Sequence, residues 1–158
     1  MATVRDVIAF VEVVKKPICV MSLDFSAAFD NVSHSYMKEA LRAHGFSMWF
    51  TESIMRLYSN VSSEVQINGF RSNLIPIKSS IRQGCPLSML LYAICLNSFL
   101  QALDEGLGGI KVGGDNTKAM VAAYADDVTV FLSAIEDVGK LQQILSTQEE
   151  VSGAKVNT

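Results

Sequence analysis

The spacing of apolar and polar residues along the chain predicts a series of helices. The first runs from Val4 to Val14, where apolar residues recur at helical spacing, and Pro17 ends it. The segment SHSYMKEALRAH begins with a capping serine and is followed by Gly45, as is typical of a complete helix. The remaining predicted helices are SMWFTESIMRLYSN, an apolar helix opened by Pro86 that reaches about Leu103, and one from about Glu136 to Val151, ending at Ser152-Gly153.

Other stretches have the composition and alternation of strands. PICVMSLDF indicates a buried strand from Ile18 to Leu23, with Asp24 directly after its end. The segment SEVQINGFRSNLIPIK predicts a hairpin around an Asn68-Gly69 turn, with a second strand over the run Leu74 to Lys78. A second hairpin is predicted in MVAAYADDVTVFL, whose apolar halves flank two adjacent aspartates.

The connecting segments complete a prediction of fold class. We expect a short helical turn from Ser26 to Asn31 and a glycine-rich turn region from Gly106 to Gly114. No internal repeat or low-complexity linker divides the chain, so residues 1–158 are predicted to form one domain. The order of elements predicts an α+β fold, in which an antiparallel sheet carries long helices packed on one face.

Composition supports a folded intracellular domain and raises a question about its partners. Apolar residues make up 49% of the 158 and charged residues 18%, which gives ample core. The three cysteines lack C-x-x-C spacing, and His34 and His44 lack partners at metal-ligand spacing, so a zinc site or disulfide framework is disfavoured. The net charge of −3 is unusual for a self-sufficient nucleic-acid binder. Either nucleic acid is not the partner, or the basic surface lies on other sequence.

A membrane span is the alternative interpretation of the longest apolar segment. The 21 residues QGCPLSMLLYAICLNSFLQAL carry no formal charge, and a helix of this length could cross a bilayer. Polar residues dilute the segment, however, and no cluster of lysines and arginines flanks it. We therefore expect a buried core helix and no membrane contact.

The pair Asp126 and Asp127 is the first candidate for chemistry. We expect it in the tight turn Ala125-Asp126-Asp127, between strands from Ala119 to Ala125 and from Val128 to Leu132. Two like charges about 4 Å apart repel by roughly 4 kcal/mol at an effective dielectric constant of 20. A turn packed against other elements needs a cation to offset this repulsion. A solvated turn tolerates it, and that interpretation remains open because aspartate is a common turn residue.

Asp24 is the second candidate, because it follows a strand that could neighbour this hairpin. If so, three carboxylates meet at one sheet edge, where hard divalent cations such as Mg²⁺ bind carboxylate oxygens and substrate phosphates. Two such ions about 4 Å apart can serve phosphoryl transfer. Asp24 could equally cap the helical turn that follows it, and Asp30 is expected to be structural rather than a metal ligand.

Two further features could complete a nucleotide pocket. Phe29 lies five residues after Asp24, where a bulky ring could close one side of the pocket, although ordinary core packing explains it as well. In RQGCPLS, a glycine precedes a helix opened by proline, which leaves free backbone N–H groups for an anion or a sugar-phosphate. Gln83 offers a donor and an acceptor at the same place. The alternative is a simple loop leading into a buried helix.

LDFSAAFD, RQGCPLS, YADD and SGAKVN, taken in this order, resemble the reverse transcriptase domain of non-LTR (LINE-type) retrotransposons. These segments are similar to the motifs lettered A, B and C of that family's palm, with the start of D, and the resemblance runs from Val4 to Thr158. It implies a right-hand polymerase palm that catalyses RNA-directed DNA synthesis with two Mg²⁺ ions, for which Mn²⁺ can substitute. The implied partners are an RNA template, a DNA primer and a dNTP.

The resemblance also implies roles for individual residues. Asp24, Asp126 and Asp127 match the metal-binding carboxylates, and the backbone carbonyl of Phe25 matches a further metal contact. Phe29 matches the aromatic gate that excludes a 2′-hydroxyl.

The other matched positions lie around these. Gln83 and Gly84 match the lining of the nucleotide and template pocket, and Tyr124 and Ala125 match residues that approach the primer end. Gly153 and Asn157 match the next motif.

Departures from the family pattern point to a fragment. Met89 stands where the family often has proline, and the fingers and thumb are expected to be largely missing. The chain would then need the remaining domains of a full-length polyprotein, which is expected in a nuclear or cytoplasmic ribonucleoprotein. The basic channel would lie there, and the fragment alone would be weak or inactive. Alternatives are a non-catalytic or domesticated palm that serves as a binding or scaffold module, and the palm of a group II intron-type reverse transcriptase.

Overall fold

The structure is a computed structural model that describes residues 4–15, 17–112 and 118–157. Gly113 and Gly114 of the predicted glycine-rich turn region and the terminal Thr158 lie outside the described residues. The described part of the chain contains the predicted helices, with bounds close to those expected from the sequence: α1 (Val4–Val14), α2 (His34–Ala43), α3 (Met48–Tyr58), α4 (Ser88–Gly106) and α5 (Asp137–Ser152).

Serine caps fix the starts of α2 and α3. The Ser33 side chain accepts a hydrogen bond from the Tyr36 N–H, and the Ser47 side chain accepts one from the Phe50 N–H. Each bond satisfies an N–H that has no partner within the helix. The sequence-predicted boundaries of these helices therefore follow from local chemistry.

A three-stranded antiparallel sheet forms the centre of the fold, and short strand pairs surround it. Its order is β1–β10–β9, which pairs the strand after α1 with the hairpin near the C-terminus. The shorter pairs are β2 with β11, β3 with β6, β4 with β5, and β7 with β8. The strands are β1 (Cys19–Leu23), β2 (Phe25–Ser26), β3 (Ser62–Ser63), β4 (Gln66–Ile67), β5 (Phe70–Arg71), β6 (Ile75–Pro76), β7 (Ile110–Lys111), β8 (Lys118–Ala119), β9 (Val121–Tyr124), β10 (Asp127–Leu132) and β11 (Lys155–Val156).

Strand β10 divides the core into two faces. Its Val128, Val130 and Leu132 are fully buried in the main core, which also contains residues of α2, α3, α4 and α5. Because side chains alternate along a strand, Phe131 points the other way, where it packs with Val7 of α1. The prediction of an α+β fold with helices on one face is confirmed, and α1 additionally covers the opposite face.

The sequence prediction misplaced several boundaries, among them those at Ser26 and Pro86. Ser26, expected in a helical turn, belongs to β2, and the turn begins at Ala27, whose carbonyl oxygen accepts hydrogen bonds from the N–H groups of Asp30 and Asn31. Pro86, expected to open α4, lies in the turn before it, and the helix begins at Ser88. Tertiary pairing with β11 explains the first difference, since the partner strand is distant in sequence.

The remaining turns and helices match their expected character. The hairpin β4–β5 turns at Asn68 and Gly69, which both have positive φ (50° and 85°), as a type I′ turn requires. The run Leu74 to Lys78 contributes only β6, which pairs with β3. Within the described residues, no helix has both the length and the apolar character that a bilayer crossing needs.

Candidate active site

The sheet brings the three candidate aspartates to neighbouring backbone positions. The β1–β10 register ends with Leu23 opposite Val128, so Asp24 directly follows this last pair on one strand and Asp127 directly precedes it on the other. In the β9–β10 hairpin Asp127 lies opposite Tyr124, with Ala125 and Asp126 as the two central residues of the turn. The predicted hairpin is present, although the strand expected from Ala119 to Ala125 is divided between β8 and β9, and Asp127 belongs to β10 rather than to the turn. The hairpin is adjacent to the strand that Asp24 follows.

The turn holds Ala125 in a conformation that side chains other than glycine seldom adopt. Its φ of 53° lies in the left-handed region. Of the two central residues only Ala125 has a positive φ, which is the pattern of a type II′ turn and suits the right-handed twist of hairpin strands. Backbone strain of this kind is found at functional sites, where the surrounding structure enforces it.

All three aspartates are exposed. Among the described residues, none of the ion pairs involves them, and no group of three or more His, Cys, Asp and Glu side chains is close enough to hold a metal ion. The three aspartates thus lie on adjoining backbone segments, while their side chains are not gathered around a point.

Asp24 differs from the other two because a partner holds it. The Asn157 N–H donates to the Asp24 carbonyl oxygen at 2.8 Å, and the Asn157 side-chain amide donates to Asp24 Oδ2 at 2.9 Å. Asn157 lies directly after β11, which pairs with β2. The sequence placed Asn157 in the family's next motif and gave no sign of this contact, since the two residues lie 133 positions apart.

The backbone of Phe25 is oriented by the same strand pair. Val156 lies opposite Phe25, but the Val156 N–H donates to Glu149 Oε1. The Asn157 N–H donates to the carbonyl oxygen of Asp24, the residue before Phe25. Carbonyl directions alternate along an antiparallel ladder, so the Phe25 carbonyl points away from β11. Its ring is buried against Phe99 with centroids 5.7 Å apart, which fixes the strand.

Phe29, Gln83 and Gly84 line one cavity of about 580 Å³, together with Cys85 and Met89. The loop that contributes Gln83 and Gly84 is closed by a hydrogen bond from Ser88 Oγ to the Arg82 carbonyl oxygen. Within it, Gly84 has a positive φ of 81°. The Ile81 N–H donates to the Phe29 carbonyl oxygen at 2.7 Å, which ties the two sides together. Phe29, Gln83 and Gly84, which the family resemblance assigns to the nucleotide pocket, thus line the same cavity.

Tyr92 of α4 connects this cavity to the aspartates, and sequence reasoning missed it. Its ring stacks on that of Phe29, with centroids 4.4 Å apart and planes at 24°. Burial, and after it the negative charge of Asp126, raises the pKa of Tyr92 to about 12. A tyrosine in a predicted apolar helix gives no signal of this kind, because its neighbours come from other elements.

Tyr124 ends β9, and Ala125 is the first residue of the hairpin turn. They line a second groove of about 410 Å³ with α4 residues that include Met89 and Tyr92. Tyr124 is 85% exposed, so its ring is free to meet a ligand or partner.

The residues expected to be structural are held by hydrogen bonds, most of them to residues distant in sequence. Asp30 accepts a hydrogen bond from the Ser80 hydroxyl at 3.3 Å. His34 contacts the Ser80 carbonyl oxygen, and His44 contacts the Ala40 carbonyl oxygen and the Asn97 side chain. Each of the three therefore has a hydrogen-bonding partner within the protein.

Comparison with known proteins extends over nearly the whole chain. The family described as reverse transcriptase (RNA-dependent DNA polymerase) matches residues 2–158. An uncharacterized 149 kDa protein of transposon TX1 from Xenopus laevis is 29% identical over 98% of this chain and 12% of its own length. The Pol polyprotein of the type-2 retrotransposable element R2DM from Drosophila melanogaster is 32% identical over 71% of this chain and 10% of its own. The chain therefore spans only about a tenth of these curated relatives.

Solved structures of telomerase are similar in fold. The apo telomerase of Candida tropicalis superposes with a TM-score of 0.62 at 12% identity, over 98% of this chain and 34% of that one. The telomerase of Candida albicans, in complex with a fragment of telomeric RNA, gives 0.64 at 14% identity, over 100% and 30%. At these identities the likeness shows the fold alone, which is that of a polymerase.

Proposed function

Because the chain belongs to the reverse transcriptase family, with relatives among the non-LTR retrotransposons, we propose that it is part of an RNA-directed DNA polymerase. The part in question is the palm, carrying motifs A, B and C and the start of D. The observation that supports this proposal is the strand register, in which Asp24 follows and Asp127 precedes the same pair, Leu23 and Val128, with Asp126 in the adjoining turn. A cavity lined by Phe29, Gln83 and Gly84 supports it, since a nucleotide needs such a space.

The carboxylate oxygens of Asp24, Asp126 and Asp127 suit a hard divalent cation, and reverse transcriptase domains in general use one. We propose Mg²⁺ in two positions, with Mn²⁺ as a substitute, and the Phe25 carbonyl as a further ligand. Bound cations of this kind activate a hydroxyl and stabilise the charge that develops on a transferring phosphate. Bound cations would offset the repulsion among the three carboxylates, so binding is expected to draw the side chains together.

The other residues would position the substrates. Phe29 would lie under the sugar of the incoming dNTP and exclude a 2′-hydroxyl, and Gln83 and Gly84 would hold the base and template side. Tyr124 and Ala125 would contact the primer end, whose 3′-hydroxyl attacks the α-phosphate and releases pyrophosphate. The template would be RNA, and the remaining domains of a larger polyprotein would supply most of the grip on nucleic acid.

Primer extension tests this function. The chain is combined with a poly(rA)/oligo(dT) duplex, dTTP and Mg²⁺ or Mn²⁺, beside an Asp126→Asn/Asp127→Asn variant. We expect weak primer extension by the unmodified chain and none by the variant. We also expect the unmodified chain to bind Mn²⁺, as measured by electron paramagnetic resonance, and the variant to have largely lost this binding. Extension that survives in the variant would reject the assigned role of the carboxylates.

A binding or scaffold module is the second candidate, and the net charge of −3 favours it over catalysis by the chain alone. Such a module has no need of the metal site. Absence of both Mn²⁺ binding and extension in the unmodified chain would favour this candidate. Metal binding without extension would point to a palm that needs its missing substrate-gripping domains.

A further inference from the structure

Asn157 contacts the carboxylate of Asp24, one of the three proposed metal ligands. Its side-chain amide donates to Asp24 Oδ2 at 2.9 Å, and its backbone N–H donates to the Asp24 carbonyl oxygen at 2.8 Å. One residue therefore fixes both the backbone and the side chain of Asp24. We propose that Asn157 is a positioning residue, which orients the Asp24 carboxylate for the divalent cation; this inference rests on the metal site of the proposed function.

The contact is exposed, so its persistence depends on the backbone around it. An isolated exposed hydrogen bond contributes little, because water competes for both partners. Here the partners are already fixed: Lys155 and Val156 pair with Ser26 and Phe25, and Glu149 Oε1 accepts the Val156 N–H at 3.0 Å. The entropy of ordering Asn157 is therefore met by the strand pairing and not by the contact to Asp24.

Further contacts anchor the segment before Asn157. Gly153 turns the chain at the end of α5 with a φ of 82°, and the Ser33 N–H donates to the Ser152 carbonyl oxygen at 2.8 Å. The Ala154 N–H donates to the Ser152 hydroxyl at 3.0 Å. Several hydrogen bonds thus hold the backbone that leads to Asn157.

The chemistry of an amide suits this task. With Oδ2 engaged, rotation of the Asp24 side chain is restricted and Oδ1 remains available for another ligand. The donor is neutral, so the negative charge of the carboxylate is kept, whereas a lysine or arginine in its place would neutralise that charge and compete with a cation. Partners of metal-binding carboxylates that act in this way typically change metal affinity or activity about 10–100-fold when they are removed.

The test compares two asparagines that hold the same strand. Asn157→Ala removes the contact to the carboxylate. Asn31→Ala is the matched control, since Asn31 donates to the Ser26 carbonyl oxygen at 2.7 Å, one strand residue beyond Phe25, and no described hydrogen bond joins it to a carboxylate. The affinity of the 158-residue chain for Mn²⁺ is measured by electron paramagnetic resonance, and the melting temperature by circular dichroism.

We expect Asn157→Ala to weaken Mn²⁺ binding about tenfold or more, and Asn31→Ala to weaken it less than about twofold. A double-mutant cycle adds a readout that a merely structural role does not move. If Asn157 acts through Asp24, its effect on affinity disappears in an Asp24→Asn background.

Three outcomes would overturn the inference. Unchanged or tighter Mn²⁺ binding by Asn157→Ala rejects the positioning role and leaves the proposed metal site standing. An effect of undiminished size in the Asp24→Asn background shows that Asn157 acts elsewhere. No Mn²⁺ binding by the unmodified chain removes the metal site itself, and this inference with it.

Discussion

The backbone carbonyl oxygen of Asn31 lies 2.8 Å from the position that a Cβ atom on Gly153 would occupy. Gly153 also has a φ of 82°, where a side chain costs about 1–2 kcal/mol. We therefore expect Gly153→Ala to lower the free energy of unfolding by at least about 2 kcal/mol, from strain and steric overlap together. Urea denaturation measures this change, and Mn²⁺ affinity should fall with it because the turn leads to Asn157.

Gly139, in the helix that ends just before Gly153, provides the control for that prediction. It lies in α5, it is exposed, and no atom comes within 4 Å of an added Cβ. Alanine is favoured over glycine by up to about 1 kcal/mol inside a helix, so Gly139→Ala should stabilise the chain slightly. Equal destabilisation by both substitutions would contradict the steric explanation.

Phe29 is predicted to control which sugar enters the cavity. Phe29→Ala removes the ring that stacks on Tyr92 and opens the cavity beside Gln83 and Gly84. We expect the ratio of dNTP to rNTP incorporation to fall at least about tenfold, in a longer polyprotein with full activity. Tyr92→Phe keeps the stack and serves as the control. Discrimination that is unchanged in Phe29→Ala would reject the gate role.

Tyr92 should make stability depend on pH in the alkaline range. Its pKa of about 12 in the folded chain lies above the value of about 10 for an unfolded tyrosine. The raised pKa contributes stability in full below about pH 10, and that contribution is lost as the pH rises towards 12. The melting temperatures of the unmodified chain and of Tyr92→Phe should be equal near neutral pH. At about pH 11 the melting temperature of the unmodified chain should be the lower of the two. An identical pH dependence in both proteins would show that Tyr92 is not the group responsible.

The three cysteines are predicted to differ in reactivity. Cys95 is buried, and burial raises the pKa of its thiol to about 12, so it should resist alkylation until the chain unfolds. Cys19 and Cys85 are partly exposed, and Cys85 lines the cavity with Phe29 and Gln83. Mass spectrometry after brief iodoacetamide treatment should find both modified. A dNTP with Mg²⁺ should slow the reaction at Cys85 and leave Cys19 as the internal control; equal protection of both would argue against a nucleotide at this cavity.

Local signals made most of the fold predictable. The caps at Ser33 and Ser47 and the Asn68-Gly69 turn act through neighbouring residues, so the sequence contains the necessary information. Long-range pairing is different: the strand character of Ser26 depends on Lys155, which no local pattern reveals. The start of α4 was predicted two residues early because Pro86 suits both a first helical turn and the turn before a helix.

The candidate site divides in the same way. Asp24, Asp126 and Asp127 could be found because each sits at a strand end or turn, and the predicted hairpin suggested that they are neighbours. Contacts between elements could not be found, which is why the partners Asn157 and Tyr92 emerged only from the structure. Periodicity also gave α1 an apolar stripe without saying which face of the sheet it covers.

The pairing of β2 with β11 has a consequence for the order in which the molecule is made. Asp24 emerges early in synthesis, yet its partner lies 133 residues later in the chain. Closing so long a loop is slow, because its entropy cost precedes the reward of the contact. On a ribosome, therefore, the hairpin with Asp126 and Asp127 can form before β11 has been made, whereas the contacts of Asn157 with Asp24 form only after translation has passed residue 157. Premature termination before that point would leave all three carboxylates in the chain but omit the last strand, which leads to the partner of Asp24.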